Sequence, residues 1–360
     1  EKATSNICTA QSLLAIISSF YAVYHGYEGL NNIARNIVIL RNYLEKGLQK
    51  LGFKLNQNAR FDSLDIYSPK SVAIHKSAIK NGFNLRILPL GSEIDNATGF
   101  GISLDELSDI DEIHKILNFI SDVVDKNIDF EEIPRGKLFY LNGIPLREEK
   151  FLQQNVFEDY RSETDLMRYI YSLAEKDFSL VDGMIPLGSC TMKLNAAAEL
   201  NPISWKNFSS IHPFVPQSQI IGYEKIICDL ESWISEIVGL DAVSFQPNAG
   251  SQGEFAGLLA IKSYFLSKND FDRKKCLIPK SAHGTNPASA AMAGFEIVSI
   301  DCDDEGNIDF DDLSQKVSDF GVQIGALMLT YPSTHGVFEI NIKKICELVH
   351  SIGALVYLDG

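Results

Sequence analysis

Short apolar runs alternate with amphipathic segments over the last third of the chain. The runs are AVSFQ, KCLIP, FEIVSI, IGALMLTY and ALVYLD. Unbroken apolar runs of this kind are typical of strands that are buried on both faces of a parallel sheet. The segments between them have helical periodicity, with predicted helices that start near Gln252, Asn286, Phe310 and Ile340. The pattern therefore predicts an α/β fold with a mainly parallel sheet covered by helices.

The earlier part of the chain has a different pattern. Residues 1–50 are predicted to be helical, with apolar side chains on most faces. Residues 51–122 mix short strand-like runs with helices, which indicates a small α+β domain. Residues 123–165 are charged and irregular and are predicted to be a linker. Residues 166–360 are then predicted to form the larger α/β domain.

Composition excludes several classes of function. The chain has 47 acidic and 32 basic residues and a formal net charge of −15, so nucleic acid is not expected to be a partner. No apolar run approaches the roughly 18 residues of a membrane span, and no membrane association is predicted. The six cysteines include no C-x-x-C pair, so no metal site is predicted.

Polar and small residues follow most of the predicted strands. AVSFQ is followed by Pro-Asn-Ala-Gly-Ser-Gln-Gly, and KCLIP by a segment that contains His283. Thr330 lies at the end of IGALMLTY, and Asp359 at the end of ALVYLD. Because open α/β sheets bind ligands at the carboxyl ends of their strands, these residues are candidates for one common site.

Each candidate has an ordinary explanation when it is taken alone. The Gly-Ser-Gln stretch can be a glycine-rich helix start without a ligand, and a single histidine is more often a loop or core residue. Free amides at a helix N-terminus do attract anions, however, and a carboxylate at the end of a buried strand requires a cationic partner. Together, a phosphate cradle, a histidine and a strand-terminal Asp359 match the requirements of pyridoxal phosphate.

The motifs IPLGSCTMKLN, NAGSQGE, SAHGTNPASA and YLDG closely resemble the P-protein family of the glycine cleavage system, and EKATSNICTAQ resembles a stretch near the middle of that long protein. The resemblance implies the aspartate-aminotransferase-like fold, fold type I of the enzymes that depend on pyridoxal phosphate. It also implies that residues 1–150 are the tail of a non-catalytic half, mainly its small domain. Residues from about 165 onward would begin the large domain of the catalytic half.

The same resemblance implies individual site residues. His283 would lie against the pyridine ring, Thr330 near the ring oxygen and Asp359 against the ring nitrogen, with His283 and Asp359 as the catalytic residues. The residues implied to hold the cofactor phosphate are Gly250, Ser251 and Gln252. The residues implied to lie near the substrate mouth are Ser189, Cys190, Thr191 and Asn248.

The implied reaction is the decarboxylation of glycine with pyridoxal phosphate, followed by transfer of the aminomethyl group to lipoamide on the H-protein. A homodimer or paired halves are expected, in a bacterial cytoplasm or, for a eukaryotic source, in the mitochondrial matrix. The family's Schiff-base lysine follows the aspartate in a His-Lys motif, whereas this chain stops at Gly360. The chain is therefore expected to be an internal fragment that is inactive by itself.

Two other functions remain open from the sequence. One is a different pyridoxal phosphate lyase or aminotransferase of the same fold, and the other is a non-catalytic scaffold subunit. The stretch DCDDEGNIDFDD nearly matches a calcium-binding loop, but the residues before it are predicted to form a strand rather than a helix. A strand, an acidic turn and a capped helix are the prediction for that stretch.

Overall fold

A computed structural model describes most of the chain. The described residues are 12–55, 60–131, 139–141, 145–178, 182–183 and 196–360. They form two compact units, residues 17–221 and residues 222–360, and residues 12–16 group with the second unit.

The helices in the described ranges are α1 (Ser12–Lys50), α2 (Ser71–Lys80), α3 (Ile110–Val124), α4 (Val156–Asp159), α5 (Glu163–Ala174), α6 (Ala197–Ser204), α7 (Lys206–Ser209), α8 (Ile221–Val238), α9 (Gly250–Ser267), α10 (Thr285–Met292), α11 (Phe310–Phe320) and α12 (Ile342–Ser351). Short 3-10 helices lie at Ile94–Asn96, Gln217–Gln219 and Gly321–Gln323. The strands are β1 (Ser63–Tyr67), β2 (Arg86–Leu88), β3 (Gly99–Ser103), β4 (Lys275–Pro279), β5 (Glu296–Ile300), β6 (Ile324–Thr330) and β7 (Leu355–Asp359).

The first unit contains a small antiparallel sheet. Its strands lie in the order β1-β3-β2, and helices α2 and α3 pack against each other beside it. Leu44 of α1, Phe100 of β3 and Ile120 of α3 are fully buried members of one apolar core. The mixture of strands and helices expected after residue 50 is therefore confirmed.

Helix α3 shows how local sequence sets an element of this unit. The Asp109 side chain accepts a hydrogen bond from the Glu112 backbone N–H at 2.8 Å, which caps the helix start. Ile113, Leu117 and Ile120 follow at helical spacing and are buried. The helix ends at Asp125, which has a left-handed backbone conformation.

The second unit contains a parallel sheet of four strands. The strand order is β5-β4-β6-β7, and every neighbouring pair is parallel. Six of the seven residues of β6 are fully buried, as expected for a strand with helices on both faces. The sheet confirms the predicted α/β fold and aligns the carboxyl ends of its strands along one edge, here named the carboxyl edge.

One predicted strand is wrong. Residues 242–246, AVSFQ, form no strand, and most of them are exposed. A strand requires a hydrogen-bonded neighbour, and none of the described strands lies beside this run. The predicted helix after it is confirmed, although it begins at Gly250 rather than Gln252.

The acidic stretch after β5 is a turn, as predicted. Asp303 accepts hydrogen bonds from the backbone of Glu305 and Asn307, and Asp309 caps α11 by accepting from the Asp311 and Asp312 amides. In the described part of the chain, no cluster of His, Cys, Asp or Glu is arranged to hold a metal ion. Within the same part, no helix has the length and apolar composition that crossing a membrane requires.

Candidate functional site

Asp359 and Thr330 lie side by side at the carboxyl edge. They are paired in register as the last residues of β7 and β6, so their side chains end the two strands together. The Thr330 hydroxyl donates a hydrogen bond to Asp359 Oδ2 at 3.2 Å. The Asn286 side-chain amide, at the start of α10, makes a longer contact of 3.5 Å with the same oxygen. Asp359 is therefore oriented by residues from two other elements, β6 and α10.

The Asp359 carboxylate has polar neighbours but no cationic one among the described residues. It is half-buried, and no Lys, Arg or His among the described residues lies within ion-pair distance of it. Lys280, which follows β4 on the same edge, pairs instead with Asp301 at 2.5 Å. A half-buried carboxylate that is oriented but unpaired is suited to a cationic group on a ligand.

His283 follows β4 and has a fixed ring orientation. The Thr285 backbone N–H donates to His283 Nδ1 at 3.1 Å, and the Thr285 hydroxyl lies 2.8 Å from the same nitrogen. Because a backbone amide can only donate, Nδ1 is the acceptor, and a neutral ring carries its proton on Nε2. The ring is solvent-exposed, so one of its faces is available to a ligand.

The start of α9 is open on one side. Apart from the chain neighbours of each glycine and the nearby backbone of α9 itself, no described atom lies within 4 Å of the position that a Cβ would take on Gly250 or Gly253. The Ser251 hydroxyl donates to Gln252 Oε1 at 3.1 Å, so both side chains lie at this helix start. The first amides of a helix of this length point out of its N-terminus and attract anions. The open space provides a cradle that a phosphate group can enter.

Four polar residues lie just below the carboxyl edge, between α9, α10 and β7. This polar cluster consists of Glu254, Asn286, Ser289 and Tyr357. Burial is the largest cause that raises the pKa of Glu254 to about 7, and the nearby Asp359 carboxylate is the second. The Ser289 hydroxyl opposes part of that rise. Burial, Asp359 and Glu254 also raise the pKa of Tyr357 to about 12. The second turn of α9, which contains Glu254, therefore lies close to the end of β7.

Sequence reasoning missed the polar cluster, although one signal for it was present. Glu254, Leu258, Ile261 and Phe265 share the buried stripe of α9. A carboxyl group within an apolar stripe is unusual, because burying a charge is costly. Asn286 and Ser289 gave no comparable signal, since small polar residues are common near helix starts.

The predicted site residues fall into three groups: those at the carboxyl edge, one before α9, and those outside the described residues. Thr330 and Asp359 are in contact, and His283 lies at the end of β4, a neighbour of β6 in the same sheet. Asn248 is exposed and lies two residues before α9. Three residues of the predicted substrate mouth lie outside the described residues: Ser189, Cys190 and Thr191. The roles of all these residues stay predictions.

Sequence comparison identifies the family. The family model described as the glycine cleavage system P-protein matches residues 1–120. Over its whole length, the chain is 57% identical to a glycine dehydrogenase (decarboxylating) of Prochlorococcus marinus and 47% identical to that of Vibrio parahaemolyticus.

The chain belongs to the glycine cleavage system P-protein family. It spans 37% of the length of each of these two P-protein relatives.

Solved structures overlap with this chain only in part. A crystal structure of glycine decarboxylase (P-protein) in inhibitor-bound form is 15% identical, covers 70% of this chain and 52% of its own, and has a TM-score of 0.47. A structure of Oryza sativa TDC with PLP and tryptamine is 15% identical, covers 53% of this chain and 46% of its own, and has a TM-score of 0.40.

Proposed function

We propose that this chain forms part of a glycine dehydrogenase (decarboxylating), the P-protein of the glycine cleavage system, and that its carboxyl edge binds pyridoxal phosphate. The substrate is glycine, and the aminomethyl group passes to lipoamide on the H-protein. The support is the 57% identity over the full chain together with the arrangement of residues at the carboxyl edge. In this proposal, the second unit belongs to the aspartate-aminotransferase-like fold.

One observation carries the proposal: Asp359 is held by Thr330 and Asn286 but has no cationic partner in the described part of the chain. A protonated pyridine nitrogen supplies the missing cation. The open cradle at Gly250 and Gly253 supplies space and helix amides for the phosphate at the same edge. The residues present therefore fit this cofactor at both of its charged ends.

Bound pyridoxal phosphate provides the electron sink that accepts the electron pair left when carbon dioxide departs. The chain's own residues prepare the site for it. Asp359 stabilises a proton on the ring nitrogen, because a nearby carboxylate favours the charged form of a base. Thr330 and Asn286 fix the Asp359 carboxylate, and the exposed His283 ring can cover one face of the cofactor.

Other parts of the proposal concern the substrate, the partner and the assembly. Ser189, Cys190, Thr191 and Asn248 are proposed to lie near the substrate. The lipoylated H-protein is the proposed acceptor, and a homodimer or paired halves the proposed assembly. The proposed location is the cytoplasm, since the relatives named above are bacterial.

Cofactor titration of the full-length polypeptide encoded by the gene tests the site. Pyridoxal phosphate is added to purified apoprotein, and its near-ultraviolet and visible absorbance is followed. Wild type should bind the cofactor, and Gly250→Ala should weaken binding by about tenfold or more, because the added methyl group enters the cradle. Gly222→Ala is the control, since its Cβ also meets no described atom but lies in the first turn of α8.

Failure of wild type to bind the cofactor would contradict the proposal and favour a scaffold function. Equal binding by Gly250→Ala and wild type would show that the phosphate lies elsewhere. Binding of the cofactor without any reaction with glycine would indicate a different enzyme of the same fold.

A further inference from the structure

Glu254 is a buried carboxyl group to which the proposed function assigns no role. Its exposed fraction is 6%, and Asn286 and Ser289 in the same polar cluster are fully buried. Gly257, one turn further along α9, lies so close to β7 that a Cβ would be 2.6 Å from the Tyr357 ring. Glu254 therefore lies in a tightly packed space immediately beneath Asp359.

The Asn286 side-chain oxygen in the polar cluster can only accept a hydrogen bond, and it has no donor within the described residues. Three buried oxygens lack a well-formed hydrogen bond within the described residues: Glu254 Oε2, Asn286 Oδ1 and Ser289 Oγ. The Asn286 amide group, which can donate, is directed toward Asp359. An ionised Glu254 would only add acceptors to this space, whereas a protonated Glu254 provides a donor.

The surroundings of Glu254 also oppose a negative charge there. The titratable groups that face it are Asp359 and Tyr357 from β7, and α10 contributes the Ser289 hydroxyl. The adjoining core, to which α9, β4 and β6 contribute, is apolar and includes Leu258 and Met328. No cation in the described part of the chain forms an ion pair with Glu254. Of these neighbours, the Ser289 hydroxyl alone favours ionisation.

We propose that Glu254 is a positioning residue that holds a proton beside Asp359, so that Asp359 is the single carboxylate presented to the bound cofactor. The neutral carboxyl of Glu254 donates a hydrogen bond within the polar cluster and thereby steadies the side chains beneath Asp359. The part of this inference that concerns the cofactor rests on the proposed function. The proton on Glu254 does not depend on it.

Infrared spectroscopy of the full-length apoprotein tests the proton directly. Difference spectra between about pH 5 and about pH 9 should contain a buried protonated carboxyl that titrates near neutrality, above the ordinary range of glutamate. Glu254→Gln, which keeps the shape and a donor, should remove this signal. The exposed Glu305→Gln should retain it. An unchanged signal in Glu254→Gln, or no such signal in wild type, would overturn the proposal.

A second variant tests the coupling to Asp359. Removal of the neighbouring charge in Asp359→Asn should lower the midpoint of the Glu254 signal, because a nearby carboxylate disfavours ionisation. A midpoint that does not move would show that Glu254 does not act with Asp359.

The cofactor provides a separate readout of positioning. The dissociation constant for the cofactor is measured for wild type and for Glu254→Gln at several pH values. The ratio of the two constants should change as the pH rises through neutrality, since only wild type gains a charge at this position. A constant ratio would contradict the positioning role. If wild type binds no cofactor, the infrared titration still decides whether Glu254 holds the proton, so the two proposals can fail independently.

Discussion

Asp359 is the residue on which the proposed site depends most. Its carboxylate is half-buried at the end of β7, where Thr330 and Asn286 orient it. A charge-assisted hydrogen bond to a ligand is typically worth about 1.5–3 kcal/mol, more than a bond between neutral groups. The charge of Asp359, rather than its shape, should therefore decide how tightly a protonated ring is held.

Asp359→Asn should weaken binding of pyridoxal phosphate by about 10- to 100-fold, because the amide keeps the shape but loses the charge. Absorbance titration of the full-length protein measures the change. Asp304→Asn is the matched control, since Asp304 lies in the exposed turn after β5. Equal loss in both variants would show that the charge of Asp359 is not used.

Glu254 should make stability depend on pH in a defined direction. Its pKa in the folded protein, about 7, is above the ordinary value of 4.5, so the folded state retains a proton that the unfolded state has released between these values. The free energy of unfolding should therefore fall as pH rises through this window. Relative to Glu254→Gln, wild type should lose roughly 2–3 kcal/mol between about pH 4.5 and about pH 8.

Urea unfolding of the two proteins at several pH values measures this difference. Both carry the other titratable groups of the chain, so their contributions cancel in the comparison. A difference that is constant with pH, or that grows in the opposite direction, would show that Glu254 is ionised in the folded protein at neutral pH.

Residue-level prediction from sequence succeeded where a residue terminates a recognisable strand. Thr330 and Asp359 end apolar runs, so their meeting at one edge was predictable. The role of Asn286 was not, because its contact with Asp359 joins positions 73 residues apart. A single sequence contains no direct record of such contacts.

At the level of elements, α9 connects the cradle to the sheet. Gly257 allows this helix to approach β7, since a Cβ there would lie 2.6 Å from one ring carbon of Tyr357 and 2.8 Å from another. Both distances are shorter than any ordinary van der Waals contact. Either the helix or the ring must shift if a methyl group is added.

Gly257→Ala should lower the free energy of unfolding by about 1–3 kcal/mol, the usual cost of overpacking a core. The improved helix propensity of alanine offsets at most about 1 kcal/mol of this loss. Gly222→Ala in α8 should be neutral or stabilising, because its Cβ meets no described atom. Denaturant unfolding of both variants checks the pair, and a stabilised Gly257→Ala would contradict the close packing of α9 on β7.

Elements with local signals were predictable from sequence. Helix α12 was predicted to start near Ile340 and begins at Ile342, and α11 begins after its capping Asp309. The run AVSFQ has the composition of a strand but forms none, because a strand also depends on its neighbours. Composition alone contains no information about those neighbours.

At the level of the whole molecule, strand order assembles the site. Strands β4 and β6 are neighbours in the sheet although β5 lies between them in the chain. Strand β7 lies next to β6 and is the outermost strand on that side. All four parallel strands end at the carboxyl edge, and this order places the ends of β4, β6 and β7 beside one another, with the acidic end of β5 on the far side of β4. The parallel class was predictable from the apolar runs, whereas the order was not.

The most direct test of the central claim is glycine-dependent release of carbon dioxide by the full-length polypeptide, supplied with pyridoxal phosphate and lipoylated H-protein. The proposed function predicts that wild type releases carbon dioxide from glycine only when both are present, and that Asp359→Asn releases it much more slowly. A protein that binds the cofactor but releases no carbon dioxide from glycine would contradict the claim.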